Sequence, residues 1–279
     1  LPTVSMLHSV TSAFSQLTVL CFFCDVICFA TARACNLPLN DLLKLSMREV
    51  TAVEKAPLWL AWSTGKDSAL ALHTLRHDSR WGGFEVHKLL STITVDYGRV
   101  SMHGVRVELL RAQAESLGMP LVEVFIRAGC TNEEYEQAMR NVLKDALDEG
   151  VYGVAFGDIH LEDVRQYREN QMAQVGIKPI FPLWHESPTE LALKFISLGY
   201  KALVVCVDSQ RLDPSFCGRA FDESFLSELP SSVDPCGENG EFHTFVYDGP
   251  LFAEPIKVRR GEIVIRDERF AFCELELER

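Results

Sequence analysis

Two stretches of this 279-residue sequence concentrate residues that could do chemistry. The first, Ser63-Thr64-Gly65-Lys66-Asp67-Ser68, follows the apolar run Leu58-Trp59-Leu60-Ala61-Trp62 and leads into Ala69-Leu70-Ala71-Leu72. A short strand that turns through small polar residues into a helix aims backbone N–H groups and the positive end of the helix dipole at one spot. That spot is a ready anion site. The second stretch is Asp234-Pro235-Cys236-Gly237-Glu238-Asn239-Gly240-Glu241-Phe242-His243-Thr244. Gly237 and Gly240 let the backbone come close to a ligand, while Glu238, Glu241, His243 and Thr244 supply acid, base and hydrogen-bonding groups. Taken alone, the first stretch also reads as a serine-rich turn with an aspartate near the N-cap, and the second as a solvated loop.

Spacing decides which anion the first loop suits. A P-loop kinase needs a glycine where Leu60 stands and a serine or threonine where Asp67 stands, so that reading fails twice. The segment instead resembles the pyrophosphate loop, usually Ser-Gly-Gly-x-Asp-Ser, of enzymes that split ATP between its α and β phosphates. Thr64 replaces a glycine of that loop, which predicts that the backbone at 64 needs no positive φ.

Positioning these groups requires a sheet. Leu58–Trp62, Val86–Ile93, Leu121–Ile126 and Val151–Phe156 read as strands, separated by helical spacing over Gly104–Leu117 and by a helix capped by Thr131 and stopped at Gly150. Such alternation predicts an α/β fold with a parallel sheet and helices on both faces. Ligands then lie at the carboxyl ends of the strands. Three polar clusters fall there: the Ser63–Ser68 loop, Asp96 and Tyr97 through His103, and Gly157-Asp158-Ile159-His160. Asp158 could equally cap a helix beginning near Leu161, and His103 could be a satisfied structural histidine. Beyond Trp184, Ser187-Pro188-Thr189-Glu190 opens another helix, Lys201–Val207 is a buried strand, and the tail reads as strands 242–247, 256–259, 263–266 and 270–277. Tight turns are expected at Asp248-Gly249-Pro250, Arg260-Gly261 and Asp267-Glu268. A second, smaller mixed α+β domain is the expectation.

Composition narrows the partners. With 39 acidic and 27 basic residues the net charge is -12, which repels a phosphate backbone and argues against a nucleic-acid partner. Nine cysteines, an odd number in a chain with ample core, suit a reducing cytoplasm better than a disulfide framework. Cys21, Cys24, Cys28 and Cys35 would share a helix face, but without a histidine among them they read as buried thiols rather than a metal site. Phe14–Ala34 is apolar, yet Asp25 interrupts it and no basic residue precedes it, so neither a signal nor a membrane segment fits. Residues 1–56 are expected to be an extension outside the catalytic fold, the more so because Met47 precedes the first strand.

The loop at 63–68, followed far downstream by Gly-Glu-Asn-Gly-Glu-Phe-His-Thr-Phe-Val-Tyr-Asp-Gly-Pro-Leu-Phe, resembles the ATP-dependent diphthine-ammonia ligase family, whose members carry Gly-Glu-Gly-Gly-Glu-(Phe/Tyr)-Glu-Thr at the second position. Gly157 to Arg168, then Gly176, Ile177, Pro179 and Pro182-Leu183-Trp184, resemble the middle of that family. The resemblance implies an adenine nucleotide α-hydrolase-like domain over 57–184 and an acceptor-binding domain over 185–279. It also implies ATP and Mg2+ as cofactors, a small-molecule or protein carboxylate as acceptor, and ammonia as the second substrate; a homo-oligomer is compatible with it. Ser63, Thr64, Gly65, Lys66, Asp67, Ser68, His103, Gly157 and Asp158 would hold the nucleotide, with Asp67 also on the metal. Gly237, Glu238, Asn239, Gly240, Glu241 and Thr244 would hold the acceptor. Lys66, Asp67, Glu238, Glu241 and His243 would be catalytic. Asn239 and His243 stand where the family usually has glycine and glutamate, so the ATP chemistry carries over more directly than the acceptor. Two alternatives remain: a tRNA-modifying enzyme with the same loop, disfavoured by acidity and by the lack of a Cys-x-x-Cys pair after residue 56, and a nucleotide-sensing protein that binds ATP or AMP without turnover.

Overall fold

The computed structural model describes residues 54–278. The expectations for the extension, including Phe14–Ala34 and the four cysteines between 21 and 35, lie outside the described residues. Strand β1 (Ala56–Ala61) is apolar on both faces because both are covered: Leu58 and Leu60 enter one core cluster and Trp59 the other. It runs into helix α1 (Lys66–His77), whose Leu70 and Leu72 are fully buried. Strand β2 (Phe84–Thr94) lies parallel to β1, and β4 (Leu121–Ile126) lies parallel to β2. On the other side of β1 come β5 (Gly153–Ala155) and β6 (Lys178–Ile180), also parallel. A short β3 (Arg99–Val100) pairs antiparallel with the last two residues of β2.

The parallel order is therefore β4-β2-β1-β5-β6, and chain direction across the sheet reverses between β1 and β5. At that switch point the loops leaving neighbouring strands diverge and open a crevice. Helix α2 (Val107–Ser116) contributes Leu109 and Leu110 to the cluster shared with α1. Helices α3 (Asn132–Asp148) and α4 (Glu162–Val175) bury Leu143, Ala146 and Met172 on the opposite face. Thr131 and Glu134 form a reciprocal capping box at the start of α3, as the sequence predicts.

After α5 (Pro188–Ser197) the chain builds a second, four-stranded antiparallel sheet, ordered β8 (Phe242–Asp248), β7 (Lys201–Asp208), β10 (Phe270–Leu277) and β9 (Val258–Arg266). A short α6 (Glu223–Glu228) packs Phe225 edge-on to Phe242. The larger core cluster runs without a break from Leu58, Leu70 and Leu109 to Phe195, Val204, Phe242 and Phe245, so the two sheets share one hydrophobic interior. The turn expected at Arg260-Gly261 is not there. The strand continues through these residues, with a register shift opposite Cys273–Leu275. A glycine beside charged residues marks a bulge as readily as a turn, and here the extra residue is absorbed within the ladder. The turn at Asp267-Glu268 is present, with both residues at positive φ.

Candidate active site

Between the carboxyl ends of β1, β2 and β5 and the loop that leads into β8 lies a cavity of about 340 Å³. Ser63, Lys66, Asp67 and Ser68 line it from one side, Ser101 to His103 from another, Gly157 and Asp158 from β5, and Gly237, Glu238, Gly240, His243 and Thr244 from the second motif. Both stretches that carry chemistry in the sequence thus meet in one place. An apolar flank of Leu90, Met139 and Phe156 completes the wall.

The loop after β1 is held from behind. Thr64 is fully buried, with φ +72. This overturns the expectation that threonine removes the need for positive φ. Tertiary bonds set the backbone here: the Thr64 carbonyl accepts from the Val246 N–H at 3.0 Å and from Gln113 Nε2 at 3.1 Å. Helix α1 takes Gly65 as its N-cap, which has no side chain to cap with, and Thr244 Oγ1 on β8 instead accepts from the Lys66 N–H at 3.0 Å. Among the described residues the N–H groups of Ser63, Thr64 and Gly65 donate to no protein acceptor. Of the three only Ser63 lines the cavity and could offer its N–H to an anion there; Thr64 and Gly65, both expected to hold the nucleotide, are buried behind it. Gly157 packs against the same helix start: a Cβ there would come within 2.9 Å of the Asp67 carbonyl carbon, so only glycine fits.

Lys66 is almost wholly buried. Its Nζ pairs with Asp67 Oδ2 at 2.9 Å, donates to the Cys236 carbonyl, and lies over the rings of Phe242 and Phe221. Burial disfavours its charge, but Asp67 alongside, with Glu238 near, holds its pKa above the ordinary lysine value. Burial also pushes the Asp67 carboxyl up against the pull of Lys66, with Asp234 and Asp158 adding to the rise. Asp67 Oδ1 is buried and has no hydrogen-bond partner. A lone carboxylate oxygen of this kind fits magnesium, which takes one or two carboxylates and fills its remaining positions with phosphate oxygens and water. Among the described residues no group of three acidic, His or Cys side chains could hold a metal by itself.

The rings of His103 and His243 lie against each other at a tilt of 36°, with centroids 4.4 Å apart. Burial, with His243 and Lys66 adding to it, keeps His103 well below the usual histidine pKa, and burial together with Lys66 lowers His243 to about 4. Both are neutral at pH 7. His103 Nδ1 is buried without a partner, while a hydrogen bond between the ring and the Thr244 backbone works against the lowering. Glu238 reaches across to accept from the Ile159 N–H at 2.8 Å, and burial raises its pKa. Asp158 does not cap α4, whose N-cap is Leu161; it forms a two-pronged pair with Arg168.

Some expected site residues stand back from the cavity. Glu241 is buried, its Oε1 accepting from Asn239 Nδ2 at 3.0 Å and from the Asp234 N–H at 3.3 Å, so Glu241 and Asn239 brace the loop and do not line the cleft. Asp96 accepts from the Ala128 N–H instead of joining His103, and Tyr97 points to solvent. Gln113 and the Cys236 carbonyl escape the sequence reading. The only trace of Gln113 is one amide among Leu109, Leu110 and Ala114 on an apolar helix face, and a backbone carbonyl leaves no trace at all.

The family model described as diphthamide synthase N-terminal domain matches residues 58–179, and that described as diphthamide synthase C-terminal domain matches 187–277. Diphthine–ammonia ligase of Homo sapiens is 32% identical, covering 59% of this chain and 70% of its own length. The Danio rerio diphthine–ammonia ligase is also 32% identical, over 57% of this chain and 68% of its own, and that of Schizosaccharomyces pombe 26% identical over 47% and 22%. A solved structure described as a predicted subunit of tRNA methyltransferase from Methanocaldococcus jannaschii aligns with TM-score 0.34 and 16% identity over 55% of this chain and 79% of that one, too loosely to argue from. The two matched regions are the two that close around the cleft, and by this match the chain belongs to the diphthine–ammonia ligase family of ATP-dependent carbon–nitrogen ligases.

Proposed function

We propose that this chain forms an amide by adenylating a carboxylate and then transferring the acyl group to ammonia. A carboxylate oxygen of the acceptor bonds to the α phosphorus of ATP as the bond to the bridging oxygen breaks and pyrophosphate leaves. Ammonia then bonds to the acyl carbon, AMP leaves, and the nitrogen gives up a proton. The observation that carries this reading is the loop and helix start at 63–68: Ser63, whose N–H has no protein acceptor, lines the same cavity as Lys66, Asp67, Ser68, Glu238 and His243. That N–H and the start of α1 suit the departing pyrophosphate, and one such preorganised donor is worth on the order of 3 kcal/mol of barrier. Magnesium held by Asp67 would offset phosphate charge.

Lys66 neutralises Asp67 within the wall of the cleft and anchors the second motif through the Cys236 carbonyl. Neutral His103 and His243 offer hydrogen bonds to an acceptor without adding charge. We assign ATP binding to 57–184 and acceptor binding to 185–279. The relatives' name gives diphthine as acceptor. His243, which lines the cleft at a position where the family usually has glutamate, favours a different carboxylate here, on a small molecule or a protein. The five free cysteines among the described residues support a reducing, cytoplasmic setting, and no described helix is long and apolar enough to cross a membrane.

The test is to incubate the protein with labelled ATP, magnesium, ammonium and candidate acids. AMP and pyrophosphate, stimulated by the right acid, are expected. ADP as the only nucleotide product would refute the reading.

A further inference from the structure

Gln113 is a polar side chain with no exposure at all, set among leucines on the inner face of α2. Its amide is fully committed. Oε1 accepts from Trp62 Nε1 at 2.8 Å, and Nε2 donates to the carbonyls of Thr64, at 3.1 Å, and Val246. The orientation is unambiguous, because an indole N–H can only donate and a carbonyl can only accept. One side chain therefore ties together the residue just past β1, the pyrophosphate loop and strand β8 of the second sheet.

What it holds is a conformation that a β-branched residue avoids. Thr64 sits at φ +72, in the left-handed region where a Cβ crowds the following carbonyl. Its own hydroxyl does not compensate: Thr64 Oγ1 is buried and has no partner. The backbone stays left-handed because its carbonyl is gripped from two sides, by the Val246 N–H and by Gln113. Strained conformations of this sort persist only where the surroundings over-determine them.

We infer that Gln113 is a positioning residue for the loop: it enforces the left-handed turn at Thr64 and so holds Ser63 and the start of α1, which line the cleft, in place. This inference rests on the reading of that loop as the phosphate site. Glycine at 64 would reach the same conformation without enforcement, which makes the role separable from general support of the core.

The experiment compares wild type, Gln113→Leu, Thr64→Gly and the double variant, with Gln113→Met as the volume-conserving alternative should Gln113→Leu fail to fold. Binding of ATP with magnesium, of pyrophosphate and of adenosine is measured on protein shown to be folded by circular dichroism. Gln113→Leu is expected to weaken ATP and pyrophosphate binding about tenfold and to leave adenosine within twofold, since adenosine does not use the loop. Adding Thr64→Gly is expected to recover most of that loss, with Thr64→Gly alone measured as the reference for the double variant. A role confined to packing would lower the melting temperature and leave the folded protein's ATP affinity unchanged. That result, or a double variant no better than Gln113→Leu, would overturn the assignment. Wild-type protein that bound neither ATP nor pyrophosphate would overturn the nucleotide reading itself, and with it the positioning role. Wild-type binding with an equally strong Gln113→Leu variant would remove only the role of Gln113.

Discussion

Asp67 combines an ion pair on one oxygen with an unpartnered, buried second oxygen. Asp67→Asn keeps the shape and a hydrogen-bond acceptor for Lys66 but removes the anionic ligand. The expected result is a folded protein that has lost at least a hundredfold of its magnesium-dependent AMP formation, checked by titrating magnesium; an unchanged magnesium dependence would refute the role. The histidine pair gives a second prediction. In the unfolded chain both titrate near the ordinary value of about 6.5, whereas in the fold His243 resists protonation to about 4 and His103 is also held well below its usual value. Between those limits the unfolded state binds more protons, so stability is full above about pH 6.5 and falls as pH drops, by about 1.4 kcal/mol per pH unit for each histidine at most. Urea unfolding across pH 4 to 7 of wild type and His243→Asn checks this: the variant should show a shallower acid slope. At this scale the sequence reveals what side-chain identity carries, such as the loop's serines, Lys66 and Asp67. It misleads at Thr64, because residue preference says nothing about a carbonyl gripped by Val246 and Gln113 from far along the chain.

Helix α1 begins at the cleft, yet its cap comes from another element: Thr244 of β8 accepts from Lys66 across 178 positions of sequence. Thr244→Val should cost about 1 kcal/mol of stability, the usual worth of an N-cap, while Thr244→Ser keeps most of it, both measured by urea unfolding. Equal loss in the two variants would point to packing instead of the hydroxyl. Elements bounded by strong local signals are legible: β4 and β10 fall on the residues read from the sequence, since Pro120 precedes one and the Asp267-Glu268 turn the other. Strand β9 is not, because the register shift near Gly261 is fixed by its partner β10 and has the same local signature as a turn. The α1 cap was hidden for the same reason. A helix with glycine at its start looks uncapped until the fold brings β8 alongside.

On the scale of the whole molecule, the sequence divides naturally near Trp184, but the hydrophobic interior does not, since Leu58, Leu70 and Leu109 share one cluster with Phe195, Val204 and Phe245. The cleft is joined in the same way. Cys236 and Thr244 of the second motif hold Lys66 and the start of α1, while His243 of that motif lines the cavity and Glu241 braces the loop from behind. Loosening the brace should therefore reach the nucleotide as well as the acceptor. Glu241→Ala removes the acceptor oxygen that holds Asn239 and the Asp234 N–H, frees the segment carrying the Cys236 carbonyl, and should weaken ATP affinity along with acceptor-dependent AMP formation. His243→Ala alters a side chain that lines the cleft without anchoring Lys66, so acceptor-dependent AMP formation should fall while ATP affinity stays within about threefold, less than 1 kcal/mol. Nucleotide affinity by calorimetry and AMP release with and without acceptor separate the two. If Glu241→Ala left ATP affinity untouched, the brace would serve the acceptor alone, and the two stretches of sequence would work as independent sites despite sharing one wall.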